Sequence, residues 1–187
     1  MTKLKLFLLS LLLTTGALMT VIYIHRPKAP PSSAPELVYI ANGLFLTSQL
    51  KPENMRALKD RGIKTIVDIR PDGEATDQAS SSEIAFASKD NGLGFHYIPV
   101  PHESIPDGAV DALKDVLSRE AMPAVLYCRT GRRAVRLFAL VEASRVGGPS
   151  TDAIVEMVRA AGFSADDLRD DIAQRLSHRS STQAVNN

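Results

Sequence analysis

The stretch Val125-Leu126-Tyr127-Cys128-Arg129-Thr130-Gly131-Arg132-Arg133-Ala134 decides the architecture of this chain. Ala124–Tyr127 is apolar and β-branched enough to read as a buried strand. It ends on a cysteine, passes through a short glycine-containing loop and runs straight into a helix. From Ala134 to Ala143 that helix is apolar on nearly every side, broken only by Arg136 and Glu142, as expected of a helix buried against a sheet. A strand, a tight loop and a buried helix in succession place the thiol of Cys128 at the carboxyl edge of an open α/β sheet, where such folds keep their sites. Backbone N–H groups of the loop and of the helix N-terminus converge there as an anion cradle. Arg129, Arg132 and Arg133 all lie within five residues of the sulfur. Positive charge and a helix N-terminus both favour the thiolate over the thiol, so the segment offers a nucleophile and an oxyanion receptor together. The plainer alternative is a buried inert thiol beside a solvated basic patch.

Outward from this stretch, strands and helices alternate. Leu37–Ile40 and Leu44–Thr47 flank Asn42-Gly43, a strong hairpin signal. Pro52 starts a helix that carries Met55 and Leu58 on one face and stops at Gly62. Thr65–Ile69 reads as a buried strand, Pro71-Asp72-Gly73 as a turn, and Ser81 or Ser82 as the cap of a helix that reaches Asn91. Phe95–Val100 is a further strand, and Pro99 within it points to a sheet edge. Val110, Leu113 and Leu117 define one face of a helix that begins at Pro106-Asp107. Ser150 opens another helix, and Ser164 a last one with Leu168 and Ile172 in step. The order predicts a three-layer α/β fold with a mostly parallel sheet and helices on both faces.

The chain has 187 residues, with 22 Lys and Arg against 21 Asp and Glu and a net charge of +1. That balance argues against nucleic acid as the partner. With 44% hydrophobic residues there is enough apolar surface for one full core. A single cysteine excludes an internal disulfide and a thiolate-cluster metal site. The four histidines lack the i, i+4 spacing of zinc hydrolases, and neither a G-x-S-x-G elbow nor a Walker loop occurs. The chemistry read here calls for no cofactor and no metal.

Leu6–Ile24 is a run of 19 uncharged residues, preceded by Lys3 and Lys5 and ended by His25, Arg26 and Lys28. It is long enough to cross a bilayer as a helix, so residues 1–28 read as a signal anchor. A cleaved signal peptide cut near Ala17 is the competing reading. The short leading segment favours a single pass through the inner membrane, with the domain on the periplasmic, extracytoplasmic side. Residues 29–35, rich in proline and serine, read as an extended linker. Residues 36–176 are expected to form the domain, and 177–187 a disordered polar tail.

Four segments together resemble a known family. They are Gly43-Leu44-Phe45 with Ser48-Gln49, the run from Gly62 to Glu74 that contains Arg70-Pro71-Asp72-Gly73-Glu74, Ile98-Pro99-Val100, and Cys128 to Arg133. They resemble the phosphatase-like domain of beta-lactamase-hydrolase-like proteins, a family similar to dual-specificity and tyrosine protein phosphatases. The likeness covers Glu36 to Leu168. It implies a hydrolase of phosphate monoesters, which the Leu6–Ile24 run would tether to the membrane, acting on a phosphorylated protein or a small phosphate ester through a phosphocysteine on Cys128. It implies that Arg133 binds the phosphoryl oxygens with the loop Arg129, Thr130, Gly131, Arg132 and Ala134, and that Arg70 projects into the same cleft, unless Arg70 is spent on an ion pair with Asp72 or Glu74. The general acid would come from the loop 101–107, with Glu103 in the right place and Asp107 and His102 as alternatives. Two departures stand out. Tyr127 replaces the histidine that usually precedes the nucleophile, and Arg133 lies five residues beyond Cys128 rather than six. The shorter C-x-x-x-x-R spacing also matches rhodanese-type sulfurtransferases, which carry a persulfide on cysteine. A catalytically weak anion-binding module is the third reading.

Overall fold

In the computed structural model, residues 34–185 are described. The sheet is built outward from the strand that ends on Cys128. That strand, Ala124–Tyr127, lies between Leu44–Thr47 on one side and Thr65–Asp68 on the other, parallel to both. In chain order the strands are β1 (Val38–Ala41), β2 (Leu44–Thr47), β3 (Thr65–Asp68), β4 (Gly94–Tyr97) and β5 (Ala124–Tyr127). Their order across the sheet is β1-β2-β5-β3-β4, and only β1 runs antiparallel to its neighbour. The hairpin turn between β1 and β2 places Asn42 at φ 47° and Gly43 at φ 77°, the two left-handed residues that a tight hairpin of this hand requires. β4 is an edge strand, as Pro99 predicts. It stops at Tyr97, and Ile98 N–H and Val100 N–H carry the pairing onward to the carbonyls of Asp68 and Ile69 while Pro99 contributes no N–H.

Side chains alternate across the sheet with period two. Leu44, Leu46, Val67, Ala124, Leu126 and Cys128 face one side, while Ile66, Val125 and Tyr127 face the other. The second side is covered by α1 (Asn54–Asp60), through Met55 and Leu58, and by α2 (Ser81–Asp90), through Ile84. The first side is covered by α3 (Asp107–Arg119), α4 (Arg132–Ser144), α5 (Thr151–Ala160) and α6 (Arg169–Val185), the last preceded by a 3-10 turn at Asp166–Leu168. The result is the α/β arrangement read from the sequence, with a mixed five-stranded sheet. α4 is the central helix; every residue from Arg133 to Ala143 except Arg136 is buried. At about 25 cal/mol per Å² of apolar surface, one such helix contributes a large share of core stability.

Three boundaries differ from expectation. The cap of α2 is Ser80, one residue before the predicted serines, because Ser80 and Glu83 satisfy each other's backbone N–H in a capping box. The first helix begins at Asn54, since Pro52 and Glu53 form a turn ahead of it. The third difference concerns the expected tail from residue 177: α6 continues to Val185. Its polarity hides a specific anchor. The Arg179 guanidinium donates to the carbonyls of Ala143, Arg145, Gly148 and Pro149, backbone acceptors in and beyond the last turn of α4 that have no helical donor. Among the described residues no helix is long and apolar enough to cross a membrane. The Leu6–Ile24 span and the linker of residues 29–35, all but its last two positions, lie outside the described residues.

Candidate active site

β5 delivers Cys128 to the carboxyl edge of the sheet, where the chain leaves the strand and turns into α4. The turn depends on Gly131, which sits at φ 90° as the residue preceding α4. A Cβ there would lie 3.2 Å from the Phe163 ring and 3.5 Å from the Thr47 carbonyl, in a conformation that side-chain-bearing residues avoid. The Gly131 N–H points at Cys128 Sγ across 3.2 Å. The first-turn N–H groups of Arg133 and Ala134 have no backbone acceptor among the described residues, so they remain available to an anion at the loop. Gln49 N–H holds the Arg129 carbonyl at 3.3 Å, which fixes the other end of the loop to β2.

Arg133 is 8% exposed and lies close enough to Cys128 to interact with its sulfur. Its Nη1 donates to Glu74 Oε1 at 2.7 Å and to the Val100 carbonyl at 2.6 Å, and its Nη2 donates to Glu74 Oε2 at 2.7 Å. That leaves the Nε–H and the second Nη2–H without an oxygen acceptor and within reach of the Cys128 sulfur, a fork of the kind that receives two oxygens of a phosphoryl group. Glu74 is the hub. Besides Arg133 it accepts from Arg70 Nε at 2.9 Å and has His102 Nε2 3.5 Å from Oε1. The Arg133 hydrogen bonds first, with help from Arg70 and the field of His102, lower the Glu74 carboxyl to about 2, so it stays ionised through any working pH.

Under the loop, Asp68 and Tyr127 are register partners on β3 and β5, both buried. Asp68 Oδ1 accepts the Arg70 N–H at 2.9 Å. Asp68 Oδ2 and the Tyr127 hydroxyl face one another, yet neither closes a hydrogen bond of ordinary geometry. Burial raises the Asp68 carboxyl to about 6, a rise held in check by the Tyr127 hydroxyl and the Arg70 N–H. Tyr127, in the position where a histidine was expected, is likewise shifted upward by burial and by the Asp68 charge, so it stays a neutral phenol.

The cleft above the sulfur has a volume of about 520 Å³ and is lined by Cys128, Arg129, Thr130, Arg132, Arg133 and Arg136, with His102, Glu103 and Asp167 opposite. It adjoins a second compartment of about 720 Å³ that reaches Asp107 and α6. The structure therefore brings Cys128, Arg133, Arg129, Thr130, Arg132 and Glu103 together. Gly131 and Ala134 are buried and can offer the loop only backbone groups. Arg70, expected to project into the cleft, does not line it. It is 4% exposed and spent on Glu74 and on Gln49 Oε1 at 2.8 Å, the ion pair with Glu74 being the alternative reading of its sequence. Asp107 is turned aside in an ion pair with Arg175. Glu74 and Gln49 are the site residues that sequence reasoning missed, although both stand inside the segments quoted for the resemblance. No group of three or more metal-ligating side chains occurs among the described residues.

Fold and site together define a phosphatase-like α/β domain, and comparison with known proteins agrees. The sequence pattern of the beta-lactamase hydrolase-like protein, phosphatase-like domain, matches residues 36–145. The chain belongs to that family. A beta-lactamase hydrolase-like protein of Xylella fastidiosa is 27% identical over 128 residues, which is 68% of this chain and 30% of the relative. One from Agrobacterium fabrum is 28% identical over 106 residues, 57% of this chain and 25% of the relative. The chain thus spans under a third of the curated relatives it matches. Among solved structures, a Neisseria meningitidis protein assigned as a phosphatase superposes with TM-score 0.65 at 27% identity, covering 74% of this chain and 96% of that one. The core catalytic domain of a PP-IP phosphatase of S. cerevisiae shares the fold at TM-score 0.59 and 19% identity, covering 82% and 94%.

Proposed function

We propose that the chain is a cysteine-dependent phosphatase of the tyrosine or dual-specificity type, hydrolysing phosphate monoesters of a phosphorylated protein or a small ester. The observation that carries this reading is the Arg133 fork, clamped by Glu74 beside a cysteine whose sulfur meets the Gly131 N–H. The Cys128 thiolate attacks phosphorus and forms an S–P bond as the P–O bond to the leaving group breaks. The departing oxygen takes a proton from Glu103. Water then attacks the phosphocysteine and gives a proton to the Glu103 carboxylate, the S–P bond breaks, and inorganic phosphate leaves with the thiolate and the Glu103 acid both restored. Loop amides and Arg133 hold the equatorial oxygens, where charge accumulates. Arg129 and Arg132 draw the ester in.

Residues 34–187 assayed in parallel for p-nitrophenyl phosphate hydrolysis and for thiosulfate:thiol sulfur transfer test the chemistry. Hydrolysis that is lost in Cys128→Ser is expected. Sulfur transfer without hydrolysis would assign Cys128 to a persulfide instead, the reaction that the short loop also accommodates.

We infer further that Leu6–Ile24 tethers the domain by a single inner-membrane span with the domain outside. Full-length protein is expected to stay with membranes through a carbonate wash. A shortened soluble form starting near Leu18 would mean a cleaved signal.

A further inference from the structure

We propose that Arg70 is a positioning residue that sets both ends of the cysteine loop at once, an inference that rests on the phosphatase reading of the site. One guanidinium, buried behind the loop, makes two divergent bonds: Nε to Glu74 Oε2 and Nη1 to Gln49 Oε1. Each acceptor belongs to a residue that grips a different end of the loop. Glu74 holds the Arg133 guanidinium with both carboxylate oxygens. Gln49 holds the Arg129 carbonyl through its backbone N–H. The Gln49 side-chain amide is itself oriented, because its Nε2 donates to the Leu50 carbonyl at 2.9 Å and so leaves Oε1 turned to Arg70.

Arg70 does not float between these partners. Its backbone N–H is held by Asp68 Oδ1, and the strand before it is central in the sheet. The turn that follows is pinned as well: the Asp72 N–H reaches the Tyr97 hydroxyl, and the Asp72 carboxylate takes the N–H and hydroxyl of Ser81 at 2.7 and 2.6 Å. A rigid frame thus presents one planar cation to two loop anchors. The planarity matters, because a fixed fork aims two bonds in set directions while an ammonium aims none. Without Arg70, Glu74 would keep Arg133 as its main partner and lose the bond that fixes its own position. The Nε and Nη2 protons of Arg133 that have no oxygen acceptor would then drift relative to the sulfur. Misplacing reacting groups by about 1 Å costs on the order of 100-fold in rate.

The test compares wild type with Arg70→Lys, which retains the charge, and with Gln49→Met, which severs one arm only. Two readouts are used. The first is the split of kcat from KM for p-nitrophenyl phosphate. The second needs no turnover: the ratio of the alkylation rates of Cys128, the chain's one cysteine, by iodoacetate and by iodoacetamide. An aligned Arg133 fork over the sulfur favours the anionic reagent. Arg70→Lys is expected to lower kcat by roughly 10- to 100-fold with KM changed little, and to lower the iodoacetate preference several-fold. Gln49→Met is expected to shift both in the same direction by less. The melting temperature of each variant is recorded. Wild-type kcat and alkylation ratio in both variants would overturn the proposal. So would losses in kcat and in both alkylation rates that only track the folded fraction. If the wild type hydrolyses nothing, the phosphatase reading falls, and the alkylation ratio still decides the role of Arg70. Should Arg70→Lys not fold, Gln49→Met decides it by the same ratio.

Discussion

Arg133→Lys is expected to lower turnover by roughly 10²–10³-fold, the cost of removing one preorganised oxyanion donor. Three of the Arg133 N–H groups are committed to Glu74 and the Val100 carbonyl, and in the proposed mechanism the remaining fork is what faces a phosphoryl group. A lysine ammonium carries three N–H groups on one atom. It cannot hold both Glu74 oxygens and also span two phosphoryl oxygens. Ground-state attraction survives, because the charge does, so KM should move little while kcat falls. Orthovanadate, which adopts the five-coordinate geometry, is expected to inhibit the wild type more strongly than the variant. A persulfide at Cys128 makes no such demand for a fork. Near-wild-type turnover in Arg133→Lys, with weak vanadate inhibition, would point to sulfur transfer and sink the phosphocysteine mechanism.

The combined contribution of Glu74 and Asp68 to stability is expected to peak near pH 4 and to decline toward pH 6. Two carboxyls shifted in opposite directions, Asp68 buried and Glu74 partly buried, produce the peak. Glu74 is lowered to about 2 by Arg133 and Arg70. Between pH 2 and 4.5 the unfolded chain holds a proton there that the folded chain has released, so stability rises with pH. Asp68 is raised to about 6 by burial. Between about pH 4 and 6 the folded chain keeps a proton that the unfolded chain has lost, so stability falls with pH and stays at the lower level above. For Asp68 the stability lost over that interval is on the order of 3 kcal/mol. Asp68→Asn keeps an oxygen for the Arg70 N–H and removes the titration. Urea denaturation at pH 4 and pH 7 should show the wild type losing stability across that interval and Asp68→Asn losing much less. Equal slopes in both proteins would show that Asp68 is not the group responsible.

Much of this was readable from local pattern. The apolar run before Cys128, the loop and the buried helix after it require only periodicity and a glycine, and β5 and α4 stand where that pattern puts them. Asn42-Gly43 announces the hairpin, and Pro99 marks β4 as an edge. What escaped is non-local. Glu74 reaches Arg133 across 59 positions because β3 lies beside β5, and no periodicity states which strand neighbours which. The same holds for Arg70, whose side chain was open to two readings until the sheet order turned it behind the loop. The end of α6 escaped for another reason. Its register is held at Arg179 by hydrogen bonds to backbone carbonyls rather than by an apolar stripe, so its composition looks like a tail.

Glu74 has a consequence for how salt acts on the protein. Arg133 is compensated by Glu74 and Arg136 by Asp167, whereas Arg129 and Arg132 have no carboxylate at ion-pair distance among the described residues. The outer pair projects an uncancelled field into solvent, and that field is screened beyond roughly 8–10 Å at physiological ionic strength. The inner pair acts at contact, where mobile ions hardly intrude. On the proposed phosphatase reading, encounter and chemistry are thereby separated in space. Added electrolyte is then expected to slow the arrival of an anionic ester and to leave the bound ester reacting at an unaltered pace, so a crowded ionic milieu would tune how often the domain is loaded rather than how fast it turns over.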